Sequence, residues 1–274
     1  MIREPAVAGT FYPAYDQQIQ KQIGDFMKDF EKAKREDALG IVVPHAGYIY
    51  SGKVAAAVYS AINCPDTYVI LGPNHTGIGS SFSIILKGEW NMPSGRVNID
   101  SILAEKIFVN SKILQEDILS HLREHSIEVQ VPFMQYPGKE FQIVPITIRH
   151  YIPDEKFLKI CRDIGGSIAA GIRELNEKVL IVASSDFSHY VPQEVAVKND
   201  NYAIDAILNL DEEELFKRVK ELDISMCGYA PVAIMLFACK ALGAKKGELV
   251  KYMTSADASG DYGAVVGYGG IVVK

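Results

Sequence analysis

Apolar residues along the chain fall into two rhythms. Ile19, Ile23, Phe26, Met27 and Phe30 recur at three- and four-residue steps, which predicts an amphipathic helix over 16–35. Three short runs are apolar without alternation: Leu39–Val43, Tyr68–Leu71 and Val179–Ala183. Their shortness and β-branched content predict strands rather than buried helical segments, and their unbroken apolarity predicts cover by helices on both faces. Phe141–Ile148 alternates and predicts a further strand. Helical patterns at 52–62, 101–109, 116–123, 154–175, 195–209, 211–221 and 230–242 separate these runs, and a Gly- and Val-rich tail at 263–273 closes the sheet. Strands separated by helices imply βα units. The expected fold is therefore α/β, with a central, mostly parallel or mixed sheet flanked by helices. With no repeat, low-complexity segment or flexible linker, the chain reads as one domain over residues 1–274.

Composition narrows the function classes. The formal net charge is −6 and no long basic run occurs, so neither nucleic acid nor an anionic membrane surface is an expected partner. No segment approaches the roughly 20 apolar residues that span a bilayer. Arg3 and Glu4 interrupt the N-terminus before any apolar stretch of signal-peptide length. The four cysteines, Cys64, Cys161, Cys227 and Cys239, show no CxxC spacing and read as reduced thiols. Together these features point to the cytoplasm.

The chemistry follows the three apolar runs. The first leads into Pro44-His45-Ala46-Gly47-Tyr48, the second into Pro73-Asn74-His75-Thr76-Gly77, and the third into Ser184-Ser185-Asp186-Phe187-Ser188-His189. In open parallel α/β sheets, ligands bind outside the carboxyl ends of the strands. Three such ends would bring His45, His75, Asp186 and His189 to one rim. Imidazole and carboxylate are transition-metal ligands. Gly47, Gly72 and Gly77 would permit close backbone approach or positive φ. A metal-binding or catalytic cleft built on His45 and His75 is the expected site.

Cys227 precedes a helical pattern, so the helix dipole is expected to lower its pKa and favour thiolate. Taken alone it reads as a packed, inert thiol before it reads as a ligand. His121-Leu122-Arg123-Glu124-His125 matches the H-x-x-E-H pattern of inverted zinc peptidases. Nothing nearby supplies a third ligand, and His121 and Arg123 are expected on a solvated helix face. His125, with Glu128 and Gln130, is expected to line the cleft, because 125–133 mixes polar and apolar residues as a solvated face would not. His150 has no companion and reads as structural. No P-loop, no GxGxxG after a strand and no GxSxG elbow is present, which leaves Ser184 and Ser185 as weak nucleophile candidates.

Several of these segments resemble the Memo family: Ala8-Gly9-Thr10-Phe11-Tyr12-Pro13, Val43 through Gly52, Leu71 through His75, Glu124-His125-Ser126-Ile127-Glu128, and Ser184 through His189. The resemblance covers most of the chain. It implies a fold like that of class III extradiol dioxygenases, the non-haem iron enzymes that cleave catechol rings, with an altered metal site. The family's two histidines and one cysteine map onto His45, His75 and Cys227. Asp186 and His189 fall where the family keeps further pocket residues, which the resemblance makes candidates for acid/base or substrate-orienting work. The animal member is described as binding copper or iron, as redox-active and as binding phosphotyrosine peptides.

A thiolate in place of the dioxygenases' carboxylate is softer. It favours copper(I), zinc or a differently tuned iron, and it is itself oxidisable. Fold alone therefore does not license the activity. Three expectations stand together: a metal-dependent redox enzyme of unknown substrate; a module that captures a small molecule or peptide in the same cleft; and a protein that handles copper or iron without turnover. The sequence leaves the oligomer state open.

Overall fold

The computed structural model describes residues 1–175 and 177–274. The three unbroken apolar runs are the buried heart of the molecule. Thr67–Asn74, Val179–Ser184 and Gly40–Val43 are neighbours in that order, paired in parallel, and every residue in them is buried. Strands enclosed on both faces have no polar side to alternate with, which is why the sequence shows solid apolar blocks here.

Around this parallel centre the sheet is mixed. Its main path of nine strands runs Ile2–Arg3, Glu89–Met92, Gly95–Ile99, Gln142–Arg149, Thr67–Asn74, Val179–Ser184, Gly40–Val43, Val265–Val273 and His189–Val191. Gln142–Arg149 lies parallel to Thr67–Asn74, whereas Val265–Val273 runs antiparallel to Gly40–Val43. Gly247–Thr254 pairs with Val265–Val273, Phe82–Ile84 with Gln142–Arg149, and Gln115–Glu116 with Phe82–Ile84. The α/β expectation, a mixed sheet flanked by helices, holds.

Helices cover the central strands. Tyr229–Leu242 packs on all three and against Glu155–Leu175. It is apolar almost throughout because it is enclosed almost throughout, reaching solvent in its last turn at Lys240 and Ala241. Tyr48–Ala61 packs against Gly40–Val43, Val265–Val273 and Gly247–Thr254. It is the helix that follows His45, so its packing fixes the loop bearing that residue. Burial of each Val, Leu, Ile or Phe in these layers contributes about 1.5–3 kcal/mol. That reserve holds the strand ends rigid.

Local differences from the sequence expectation have local causes. The first helix stops at Met27, with a single 3-10 turn at Lys28–Phe30; residues 31–35 add almost no apolar side chain to bury. The helix expected at 116–123 is instead a two-residue strand and one turn, Leu119–Leu122. Asp117 accepts from the N–H groups of both Ser80 and Leu119, tying the chain into a turn before a helix can propagate. The hairpin Glu89–Met92/Gly95–Ile99 and the half-exposed strand Gly247–Thr254 went unpredicted, being short or weakly patterned.

Candidate metal centre

His45 leaves the end of its strand with its backbone N–H bonded to Asp186 Oδ1 at 2.8 Å. Its Nδ1 lies 2.9 Å from Ser184 Oγ. That hydroxyl gives its proton to the Ser126 carbonyl at 2.6 Å and accepts from Gln130 Nε2 at 2.9 Å. With the hydroxyl proton committed, His45 Nδ1 is the donor, and Nε2 is left as an unprotonated lone pair. Ser184, a weak nucleophile candidate from the sequence, sets the tautomer of a candidate ligand.

His75 is fixed in a comparable way by Glu124. The carboxylate accepts from His75 Nδ1 at 2.9 Å and from the His75 backbone N–H at 2.6 Å. It accepts also from the backbone N–H groups of His125 and Ser126, at 3.0 and 2.9 Å. A carboxylate cannot donate, so His75 Nδ1 carries the proton and Nε2 is free. Gly72 lets this strand meet the Glu124 loop closely: a Cβ there would collide with Ser126 Oγ and Ile127 Cγ1. Gly77 takes a positive φ of 66°, whereas Gly47, at φ −56°, needs no such freedom.

The Glu124 loop delivers a third imidazole. His75 and His125 stack with ring centroids 4.7 Å apart, and the His45 ring stands edge-on to both, at 5.1 and 5.4 Å. One ring nitrogen from each of His45, His75 and His125 lies within 4.8 Å of the others. Burial, reinforced by the neighbouring imidazoles, pushes the His45 pKa well below its ordinary 6.5. Burial likewise lowers His125 to about 4, against the pull of Glu124 and Glu128. Both rings are thus neutral at pH 7, the form that binds metal. Burial would raise Glu124, but the His75 hydrogen bond, the two nearby imidazoles and the Ser126 N–H outweigh it and bring the pKa down to about 2. This donor set fits a transition-metal ion: converging imidazole nitrogens, with His45 and His75 held in one tautomer by their hydrogen-bond partners.

The other expected residues are distributed around this group. Cys227 Sγ lies 3.2 Å from His45 Nε2 and 3.6 Å from the Asp186 carbonyl, so His45, His75 and Cys227 do share one region. Cys227 is nevertheless outside the three-histidine group. Its expected low pKa is overturned: burial, then the Asp186 carboxylate, push it well above 9.0. Proximity to a helix start does not offset a dry setting beside an anion. Asp186 itself is raised by burial, opposed by the His45 N–H and by His189. His189 is anchored by Ser225, which accepts its backbone N–H on Oγ at 2.7 Å and its Nδ1–H on the carbonyl at 2.8 Å.

Glu128 turns away from the histidines toward the N-terminal residues, accepting from Ala6 N, Val7 N and Tyr12 Oη. His121, expected in solvent, is 1% exposed, with Nε2 bonded to Ser83 Oγ at 2.7 Å. Burial and the nearby Arg3 charge lower its pKa to about 3. It lies behind the site as a packed neutral ring; Arg123 is on the surface as expected. His150, expected to be structural and without a companion, has its ring edge-on to Tyr229 at 5.1 Å. The supporting roles of Ser184 and Glu124 carried no signal in the sequence beyond their positions in or beside the histidine-bearing motifs; Gln130, expected to line the cleft, donates to the Pro44 carbonyl and to Ser184 Oγ, both at 2.9 Å.

Residues 3–272 match the profile of the Memo family, described as Memo-like protein. The chain belongs to the Memo family. It is 46% identical over 274 residues to a MEMO1 family protein of Methanococcoides burtonii, covering 100% of both chains. It is 43% identical to MEMO1 family proteins of Pyrobaculum arsenaticum and of Aquifex aeolicus, in each case covering 99% of this chain and 98% of the relative. An uncharacterized protein from Escherichia coli K12, solved by crystallography, superposes with a TM-score of 0.54 over 85% of this chain and 98% of its own, at 14% identity. That likeness concerns fold alone. Memo membership and the three-histidine group together fit a metal-binding site, and among the described residues no helix is long and apolar enough to cross a membrane.

Proposed function

We propose that the chain is a metal-dependent redox protein of dioxygenase-like type, with a copper or iron ion held by His45 and His75 and completed by His125 or Cys227. The observation that supports this most directly is the convergence of three imidazole nitrogens, two of the rings having the opposite nitrogen pinned by a buried acceptor. A bound iron or copper would supply Lewis acidity and one-electron chemistry. The protein's own residues do the rest. Ser184 and Glu124 hold two rings in a binding tautomer. Asp186, raised by burial, is suited to keep or release a proton beside His45. His189, with Nδ1–H fixed on Ser225, keeps Nε2 for proton transfer with a bound substrate.

The test is metal analysis of protein purified without added metals, for the parent, His45→Ala, His75→Ala, His125→Ala and Cys227→Ser. The parent should retain copper, iron or zinc, and His45→Ala and His75→Ala should lose it. Comparison of His125→Ala with Cys227→Ser identifies the third donor. Equal and negligible metal in the parent and His45→Ala would sink the reading.

A second reading, capture of a small molecule or peptide without turnover, is favoured by the apolar side chains that follow the same strand ends. Ile49, Tyr50, Ile78 and Tyr190 are exposed, and Tyr190 holds a φ of +57°, rare for a non-glycine residue. Binding that persists unchanged in a His45/His75/Cys227 triple variant supports this reading over catalysis.

A further inference from the structure

The three imidazoles are not held alike. His45 and His75 extend from the ends of central parallel strands, whereas His125 rides on the segment His121–Glu128, which belongs to no long element. What holds that segment is the N-terminal arm, residues 2–13. Arg3 is fully buried, with its guanidinium 4.0 Å from the centre of the Trp90 ring. Its Nε donates to the His121 carbonyl and its Nη2 to the Glu124 carbonyl, both at 2.7 Å. The same Nη2 lies 2.8 Å from Glu128 Oε2. Arg3 thus grips the loop on both sides of His125.

The rest of the arm completes the grip. Glu128, also fully buried, accepts from Ala6 N at 2.7 Å, Val7 N at 3.0 Å and Tyr12 Oη at 2.7 Å. The Phe11 ring packs against the His125 ring at 4.6 Å, while the Phe11 carbonyl accepts the Tyr48 N–H at 2.8 Å, at the start of the helix that follows His45. The arm therefore braces the His125 loop against the His45 loop.

We infer that the N-terminal arm is a working part of the metal centre, with Arg3 the positioning residue that makes His125 available as a third donor. The inference rests on the metal-binding reading above, in the form in which His125 is the third donor. Arg3 touches no candidate ligand directly; it acts through the Glu124 and His121 carbonyls and through Glu128. Losing it should convert a three-nitrogen site toward a two-nitrogen one, while His45 keeps the bond from its backbone N–H to Asp186 Oδ1, which Arg3 does not touch. Partners that orient ligands in this way typically govern metal affinity by about 10–100-fold.

The experiment is cobalt(II) titration of the metal-free full-length protein, followed by visible absorption, as a double-mutant cycle. Arg3→Met should weaken cobalt binding about 10–100-fold. In Arg3→Met/His125→Ala the affinity should be no weaker than in His125→Ala alone, because both changes remove the same donor. Tyr12→Phe removes a single hydroxyl bond to Glu128 and gives a milder version of the test should Arg3→Met fold poorly. Cobalt binding by Arg3→Met or, if it is used, Tyr12→Phe at parental affinity overturns the inference, as does additivity of either with His125→Ala. Absence of cobalt binding by the parent overturns the metal-binding reading as well, which separates the two failures.

Discussion

Acidification of the metal-free protein should expose the cost of keeping imidazoles neutral in the interior. His121 and His125 have folded-state pKa values of about 3 and about 4, against 6.5 when unperturbed. Between pH 7 and pH 5 an unfolded imidazole takes up a proton that the folded chain refuses. Stability is therefore full above pH 6.5 and falls as the pH drops from 6.5 toward the folded values. For each residue, the drop from pH 7 to pH 5 removes about 2 kcal/mol, because the unfolded state is about 97% protonated at pH 5 and the folded state scarcely at all. His121 and His125 together give about 4 kcal/mol, and His45, lowered in the same direction, adds to this. A total of that size is a large fraction of the 5–15 kcal/mol typical of a whole domain. The assay is urea unfolding at pH 7 and pH 5, at fixed ionic strength and with chelator, for the parent and His121→Asn. His121 is the cleaner perturbation because it is no candidate ligand. The variant should be less stable at pH 7, yet lose about 2 kcal/mol less than the parent on acidification. Equal losses in parent and variant would refute the assignment of a neutral, desolvated His121.

Two further substitutions probe the supports of the site. Glu124→Gln replaces the acceptor of His75 Nδ1–H by a neutral amide and should weaken cobalt(II) binding about 10–100-fold, read by the same titration; parental affinity would show that Glu124 does not orient His75. Gly72→Ala places a methyl against Ser126 Oγ and Ile127 Cγ1 and should cost about 1–3 kcal/mol in urea unfolding; an unchanged midpoint would mean that the strand and the Glu124 loop are free to part.

Hydrophobic patterning was sufficient to locate the central strands, and the α/β rule then placed their carboxyl ends together. On that basis alone His45, His75, Asp186 and His189 were expected on one rim; His45, His75 and Asp186 follow the ends of three adjacent parallel strands, whereas His189 opens the antiparallel strand His189–Val191. These features were legible because apolar runs and turn residues are local, and each residue's neighbours in sequence carry the signal. Membership of His125 in the donor group was not legible. It depends on Glu124 reaching His75 across 49 positions and on Arg3 reaching Glu124 across 121, contacts that leave no periodic trace in the chain. Nor could the sequence separate Glu124, which serves the histidines, from Glu128, four residues on and committed to the N-terminal arm. The burial of His121 and the raised pKa of Cys227 belong to the same class. Desolvation is set by what distant segments pack around a group, so only the tertiary structure decides which charges the interior permits.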